Sequence, residues 1–401
     1  MTETTTVGVV GLGAMGAGIA EVFARAGHSV IGVEYDDAAV QRGRTVLTTS
    51  TDRAVERGKL GPADRDALMS RVSFHTEMGA VADCNLVVEA VSERLDLKTA
   101  VFSALDEVVG PQTILATNTS SLSITTIAAA TKHPERVVGV HFFNPAPVQT
   151  LVEVISTVLT APDTAEQVTT WLHRLGKTTI GCGDRAGFVV NALLVGYLNR
   201  AAQLYGAGFC TRAEMDTAMV ERAGYPMGPL TLLDLVGHDV TLAVVERLWE
   251  ETRDPRHAPA PILTQLVAAG RLGRKTGRGF FVHGAPGHGS GVEDPEPVRV
   301  VRSRVDELPD TLVAPYLNDA LEMVRTGYST PGDIDTGMTH GCRMPAPFDV
   351  IAELGPVGLL ERQRRVFLET AQPGHRPSLL LEELAAEVDP DRALQRLRSE
   401  F

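Results

Sequence analysis

Through residues 1–183 short β-rich runs (TTVGVVG, SVIGV, NLVVEA, TILAT, RVVGVHFF, TLVEVI and KTTIG) alternate with stretches of helical period such as AMGAGIAEVFARAG and LKTAVFSALDEVV. Strands that take turns with helices predict a mostly parallel, doubly wound α/β sheet. From Gly187 onward the β-runs thin out and long segments of helical period take over, beginning with AGFVVNALLVGYLNRAAQLYGAG. Residues 284–297, GAPGHGSGVEDPEP, have no periodicity and are rich in glycine, proline and acids, which predicts a linker.

The helical region repeats itself. Shifting the chain by 119 residues aligns Tyr197-Leu198-Asn199 with Tyr316-Leu317-Asn318, Ala201 with Ala320, Gly208 with Gly327 and Thr211 with Thr330. The same shift pairs Asp216-Thr217 with Asp335-Thr336, Met219 with Met338 and Pro226 with Pro345. That many identities at one offset predict a tandem duplication. The expected organisation is therefore a sheet domain over 1–183, a helical domain over 184–283, the linker, and a second copy of the helical domain over 298–401.

Bulk composition removes some function classes. The chain of 401 residues carries a formal net charge of −13, which argues against a general nucleic-acid or anionic-membrane partner. No run of about 18 apolar residues could span a bilayer. The N-terminal MTETTTVGVVGLG lacks the basic-then-apolar order of a signal peptide. Cys84, Cys182, Cys210 and Cys342 are too scattered for a zinc site, so they read as reduced thiols of a cytoplasmic protein, and no metal is expected.

Gly11-x-Gly13-x-x-Gly16 follows an apolar strand and opens a helix. The first glycine permits a tight turn, the second lets backbone approach a pyrophosphate, and the third allows close helix–strand packing. Glu34 ends the second strand, 23 residues after Gly11, where an acid can accept hydrogen bonds from a ribose diol. Asp36 and Asp37 follow, and no cation stands beside Glu34, so NAD is expected rather than NADP. Further along, His141 lies in VHFFN, and twelve positions later Glu153 sits inside the apolar run LVEVI. Ser120 follows a strand in ATNTSSLSI, and Asn191 stands in a helix otherwise rich in Val, Leu and Ala. Each has a plain structural alternative: Ser120 a turn or cap, His141 a packed strand-end histidine, Glu153 an acid on the open face of an edge strand, and Asn191 an amide satisfied by a neighbour.

Taken together, TNTSSLSI, HFFNPAPVQTLVEVI and DRAGFVVN closely resemble the L-3-hydroxyacyl-CoA dehydrogenase family over roughly residues 5–283. The resemblance implies that Ser120 and Asn191 hold the substrate oxygen, that His141 is the general base and that Glu153 orients it. It also implies Glu93 and Lys98 near the cofactor, and Ser50, Arg57 and Lys59 near the phosphates of CoA. The chain departs from the family pattern at Gln149-Thr150, in place of Met-Lys, at Ala186, in place of proline, and at Ala192, in place of arginine.

The chemistry is coherent in its own right. Oxidising a secondary alcohol needs a base for the hydroxyl proton while hydride leaves for nicotinamide. Histidine titrates near working pH, and a carboxylate supports the imidazolium that forms. The expected reaction is reversible NAD-dependent oxidation of an (S)-3-hydroxyacyl thioester, with short-chain 3-hydroxyacyl-CoA leading. Alternatives are a carrier-protein thioester, a free hydroxy acid such as carnitine or a sugar acid, and an idle NAD-binding structural protein. In the resembled family one helical domain makes the dimer contact. A second copy in the same chain therefore implies a monomer with an internal pseudo-dimer, with a homodimer as the alternative. Asp310 occupies the place equivalent to Asn191, so the second copy is expected to be non-catalytic.

Overall fold

The computed structural model describes residues 5–283 and 298–400; the expected linker at 284–297 lies outside the described residues. The chain divides into two compact units, up to Phe188 and from Val189.

The first unit is built on eight strands: β1 Thr6–Val10, β2 Ser29–Val33, β3 Val72–His75, β4 Leu86–Glu89, β5 Ile114–Thr117, β6 Val137–Phe142, β7 Leu151–Ser156 and β8 Thr178–Gly183. They lie in the order β3-β2-β1-β4-β5-β6-β7-β8. Neighbours pair in parallel except β6 with β7, so β7 and β8 run against the rest. Helices α1 Ala14–Arg25, α2 Asp37–Glu56, α3 Pro62–Ser70, α4 Leu95–Val108, α5 Ile124–Ala128 and α6 Pro162–Arg174 connect the strands. β4, β5, β6 and nearly all of β1 and β7 are buried, as strands covered on both faces must be.

Strand β3 was not expected from the hydrophobic pattern. Of VSFH only Val72 is buried, because β3 is an outer strand and Ser73 and His75 face water. The edge-strand alternative for Glu153 fails for the converse reason: β8 covers the outer side of β7. Sheet order reverses about β1, whose neighbours β2 and β4 are reached in opposite directions. In open α/β sheets ligands collect beyond the C-terminal strand ends at such a point.

The second unit is helical: α7 Val190–Gly206, α8 Arg212–Glu221, α9 Pro229–Val236, α10 His238–Thr252, α11 Pro261–Ala268, then α12 Leu308–Arg325, α13 Pro331–Cys342, α14 Pro347–Leu354, α15 Pro356–Thr370, α16 Leu379–Ala386 and α17 Pro390–Ser399. Helices α9, α10 and α11 recur as α14, α15 and α16 with both ends displaced by 118 residues. The offset of 119 before Pro226 thus becomes 118 by Pro229, because one residue is missing between Pro345 and Pro347. Local hydrogen bonds recur as well. Asn199 donates to the Ala258 carbonyl and accepts from Ala260 N–H, while Asn318 donates to Arg376 and accepts from Ser378. His257 Nδ1 lies 2.9 Å from Thr252 Oγ1, and His375 Nδ1 lies 2.8 Å from Thr370 Oγ1. The two sets pack together through α7 and α12.

Candidate active site and cofactor loop

Strands β6 and β7 set the geometry of the central pair. His141 and Glu153 are direct partners in the antiparallel register, so both side chains leave the same face of the sheet. Glu153 is fully buried and His141 is 7% exposed, and His141 Nδ1 lies 2.6 Å from Glu153 Oε2. A carboxylate can only accept, so Nδ1 donates, and Nε2 is the nitrogen left to exchange a proton. Phe143 and Phe188 pack beside the imidazole at 4.7 and 5.7 Å between ring centres.

Two further contacts fix the approach to this pair. Asn118 Oδ1 accepts the Phe142 N–H at 2.9 Å, tying the end of β5 to β6. Lys177 Nζ donates to the carbonyls of Ala146 and Gln149 at 2.6 and 2.7 Å, tying down the β6–β7 connection. Burial, with the Arg25 charge adding to it, draws the Lys177 ammonium down to about 8.

Ser120 sits half-buried on the turn after β5, held by Glu93. One Glu93 oxygen accepts from Thr119 Oγ1 at 2.6 Å, Ser120 N–H at 2.9 Å and Ser120 Oγ at 3.3 Å. Burial opposes ionisation of Glu93, yet the Lys98 charge and the bonds from Thr119 and Ser120 hold its carboxyl below the ordinary range. Lys98 is itself buried. Its Nζ lies 2.7 Å from Glu89 and 3.4 Å from Glu93, and Glu89 also accepts from Thr117 Oγ1 and Val91 N–H. Sequence reading passed over Glu89, although an acid inside the apolar NLVVEA is the same signal that drew attention to Glu153 in LVEVI.

The glycine loop meets its geometric requirements. Gly11 has φ +88°, and a Cβ there would lie 2.8 Å from the backbone of Ala90 and Val91. A Cβ on Gly16 would collide with the Gly11 carbonyl, whereas one on Gly13 would meet no protein atom within 4 Å. Space at Gly13 is thus kept clear on the outer side of the loop, where a pyrophosphate would approach. Helix α1 starts there with no side-chain cap and no acid in its first turn, leaving N–H groups for an anion. Glu34 Oε1 accepts the Leu12 N–H at 2.6 Å, which holds the carboxylate against the loop. These residues fit a dinucleotide.

The remaining expected site residues stand on helices α2 and α7 or just after α2. Ser50 is half-buried on α2, and Arg57 and Lys59 are exposed at and just beyond its end, forming no ion pair among the described residues. Asn191 is half-buried in the first turn of α7, in the second unit. Among the described residues no group of His, Cys, Asp and Glu is placed to hold a metal, and no helix is long and apolar enough to cross a membrane.

The sequence profile of the 3-hydroxyacyl-CoA dehydrogenase NAD-binding domain matches residues 6–185, and that of the C-terminal domain matches both 187–283 and 310–396. The chain belongs to the 3-hydroxyacyl-CoA dehydrogenase family. It is an NAD-dependent oxidoreductase. It is 46% identical over 279 residues to a 3-hydroxybutyryl-CoA dehydrogenase of Mycobacterium tuberculosis, covering 69% of this chain and 98% of the relative. It is 42% identical over 283 residues to human mitochondrial hydroxyacyl-coenzyme A dehydrogenase, covering 69% of this chain and 90% of the relative. The crystal structure of 3-hydroxybutyryl-CoA dehydrogenase from Escherichia coli K12 aligns with a TM-score of 0.86 at 31% identity, over 96% of this chain and 98% of that one.

Proposed function

We propose that the protein catalyses the reversible oxidation of an (S)-3-hydroxyacyl thioester, short-chain 3-hydroxybutyryl-CoA first among them, with His141 as the general acid/base. The buried His141–Glu153 hydrogen bond carries this reading. His141 Nε2 takes the hydroxyl proton of the alcohol and returns it to the carbonyl oxygen in the reverse direction. Glu153 holds the ring in one tautomer and supports its charge when protonated. Bound at Gly11, Gly13, Gly16 and Glu34, NAD supplies the hydride acceptor. Glu93, held by Lys98, sets the orientation of Ser120. Ser120 and Asn191 are given the substrate oxygen, and Ser50, Arg57 and Lys59 the phosphates of CoA, on the family resemblance.

The short acyl chain is supported by the relatives named for 3-hydroxybutyryl-CoA. Gln149 and Thr150, where the family pattern has Met-Lys, favour the alternative of a carrier-protein thioester or a free hydroxy acid. Following NADH consumption with acetoacetyl-CoA, a carrier-bound acetoacetyl group and free acetoacetate decides between them. Faster turnover of either of the last two overturns the CoA assignment.

We further infer that residues 184–283 and 298–401 are tandem copies of one helical domain, with one active site per chain. The recurrence of α9–α11 as α14–α16, and the double match of the C-terminal profile, support this. The second copy takes the place of a partner subunit's domain, which makes the chain a monomer; a mass twice 42.9 kDa by light scattering would identify a homodimer instead. The four cysteines, none of them in a disulfide, suit a cytoplasmic enzyme.

A further inference from the structure

In an assembly of two equivalent parts, a residue that touches its own counterpart lies at the axis relating them. Tyr197 and Tyr316 are counterparts, and their rings meet edge to face at 5.9 Å between centres. The short turns Pro255–His257 and Pro373–His375 are counterparts and also touch. The pseudo-two-fold axis therefore passes between α7 and α12 and between these turns.

At this axis the two copies differ in size and in charge. Arg256 has Gly374 as its counterpart, and a Cβ on Gly374 would run into the Arg256 guanidinium. One arginine fits here because the other side has no side chain. Arg256 then reaches across the axis to Asp319, while Asp254 holds its other edge at 2.8 Å. The counterpart of Asp319 is Arg200. Arg200 lines the same small cavity as Arg256, Asp319 and His375 and forms no ion pair among the described residues.

The consequences for pairing follow from charge and volume. Two first copies placed face to face would bring Arg256 against Arg256, each aimed at an Arg200 where the mixed pair offers Asp319. Two second copies would leave both Asp319 carboxylates without the arginine that crosses the axis, and a gap where it lies. Only the mixed pair matches in both respects.

We propose that Arg256, Gly374, Asp319 and Arg200 form a pairing code. By this code the first helical copy accepts residues 310–396 and rejects another first copy. The chain would then not assemble with itself through this face. The proposal rests on the duplication and not on the reaction, so turnover and pairing can fail separately.

The test uses the full chain. The double variant Asp319→Arg/Gly374→Arg gives the second copy the first copy's residues at both places and so builds the rejected junction within one polypeptide. The quadruple variant Arg200→Asp/Arg256→Gly/Asp319→Arg/Gly374→Arg is its mirror image and restores complementarity from the other side. We expect the double variant to melt well below the parent. The quadruple variant should recover most of the melting temperature. A double variant that melts with the parent, or a quadruple variant no more stable than the double, overturns the code.

Discussion

Both units bury acids and histidines, but they complete them differently. In the helical unit the partners are found inside the fold. Asp234 accepts from the N–H groups of Phe280 and Phe281 and lies 2.7 Å from both His238 and His283; Asn199 and Asn318 each bind a loop backbone on both sides. In the sheet unit the chain of partners stops one group short. Glu153 ends on His141, and the Glu89–Lys98–Glu93 chain ends on the half-buried Ser120. A closed network holds helices together, whereas an open-ended one sets the orientation of a group that still has an atom to offer a ligand. Disturbing the first should cost stability, and disturbing the second should cost rate.

The largest effect belongs to His141→Ala, for which kcat should fall roughly 10²–10⁴-fold. NADH should still bind to the folded variant. Near-normal turnover in the folded variant would remove His141 from the reaction. Glu153→Gln keeps an oxygen for Nδ1 but loses the charge, so it should be slower than the parent and faster than His141→Ala. Cofactor choice tests the other end of the sheet. A 2′-phosphate beside Glu34 and the acids after it would be opposed by ~1 kcal/mol per contact in water and more near the protein. NADPH should therefore give a clearly lower kcat/KM than NADH, and equal values would refute the role of Glu34.

The helical unit should answer in the opposite currency. Asn199→Ala and Asn318→Ala each strand buried backbone groups and should lose about 1–3 kcal/mol by urea unfolding. Because the two amides are counterparts, the losses should be alike, and kcat at 25 °C should stay near the parental value in both. A large drop in kcat for the folded Asn318→Ala protein would mean that the second copy takes part in the chemistry.

These differences also mark how far the sequence could be read. The glycine loop, Glu34 and the His141–Glu153 spacing were legible because each depends on local order: strand, turn and antiparallel register. Lys98 was placed near the cofactor by resemblance, but its burial was not legible, since a lysine on an amphipathic helix looks solvated until Glu89 is known to face it. Strand β3 escaped because an outer strand has only one residue to hide. The internal repeat showed itself as identities up to Pro226 and then fell out of register, because one missing residue shifts the offset to 118, where Thr252, Pro255, His257 and Pro259 meet identical residues at Thr370, Pro373, His375 and Pro377. The meaning of Arg256, Gly374 and Asp319 depends on which side of an axis each falls, and no one-dimensional pattern carries that.

The smallest predicted effect is one of pH within the helical unit. Burial pushes the Asp335 carboxyl up to about 6, against the pull of the Phe348 N–H and Arg398. Its value in the unfolded chain is the ordinary 3.8, so between these limits the folded state holds a proton that the unfolded state has released. Stability contributed by Asp335 therefore falls as pH rises through that window, and at neutral pH its charge costs at most about 3 kcal/mol. His375 acts in the opposite sense. Burial, with Arg200 and Arg256 adding to it, draws its imidazole down from 6.5 to about 3, so its contribution rises with pH across that range. The two terms oppose each other where the windows overlap and flatten the parental profile. Asp335→Asn removes one of them while keeping an acceptor for the Phe348 N–H, which donates to Asp335 at 2.8 Å. Urea unfolding at a series of pH values should show the variant matching the parent near pH 4 and exceeding it near pH 7.5, with a steeper rise between. A stability difference that is the same at both ends would mean that Asp335 is not held protonated by the fold.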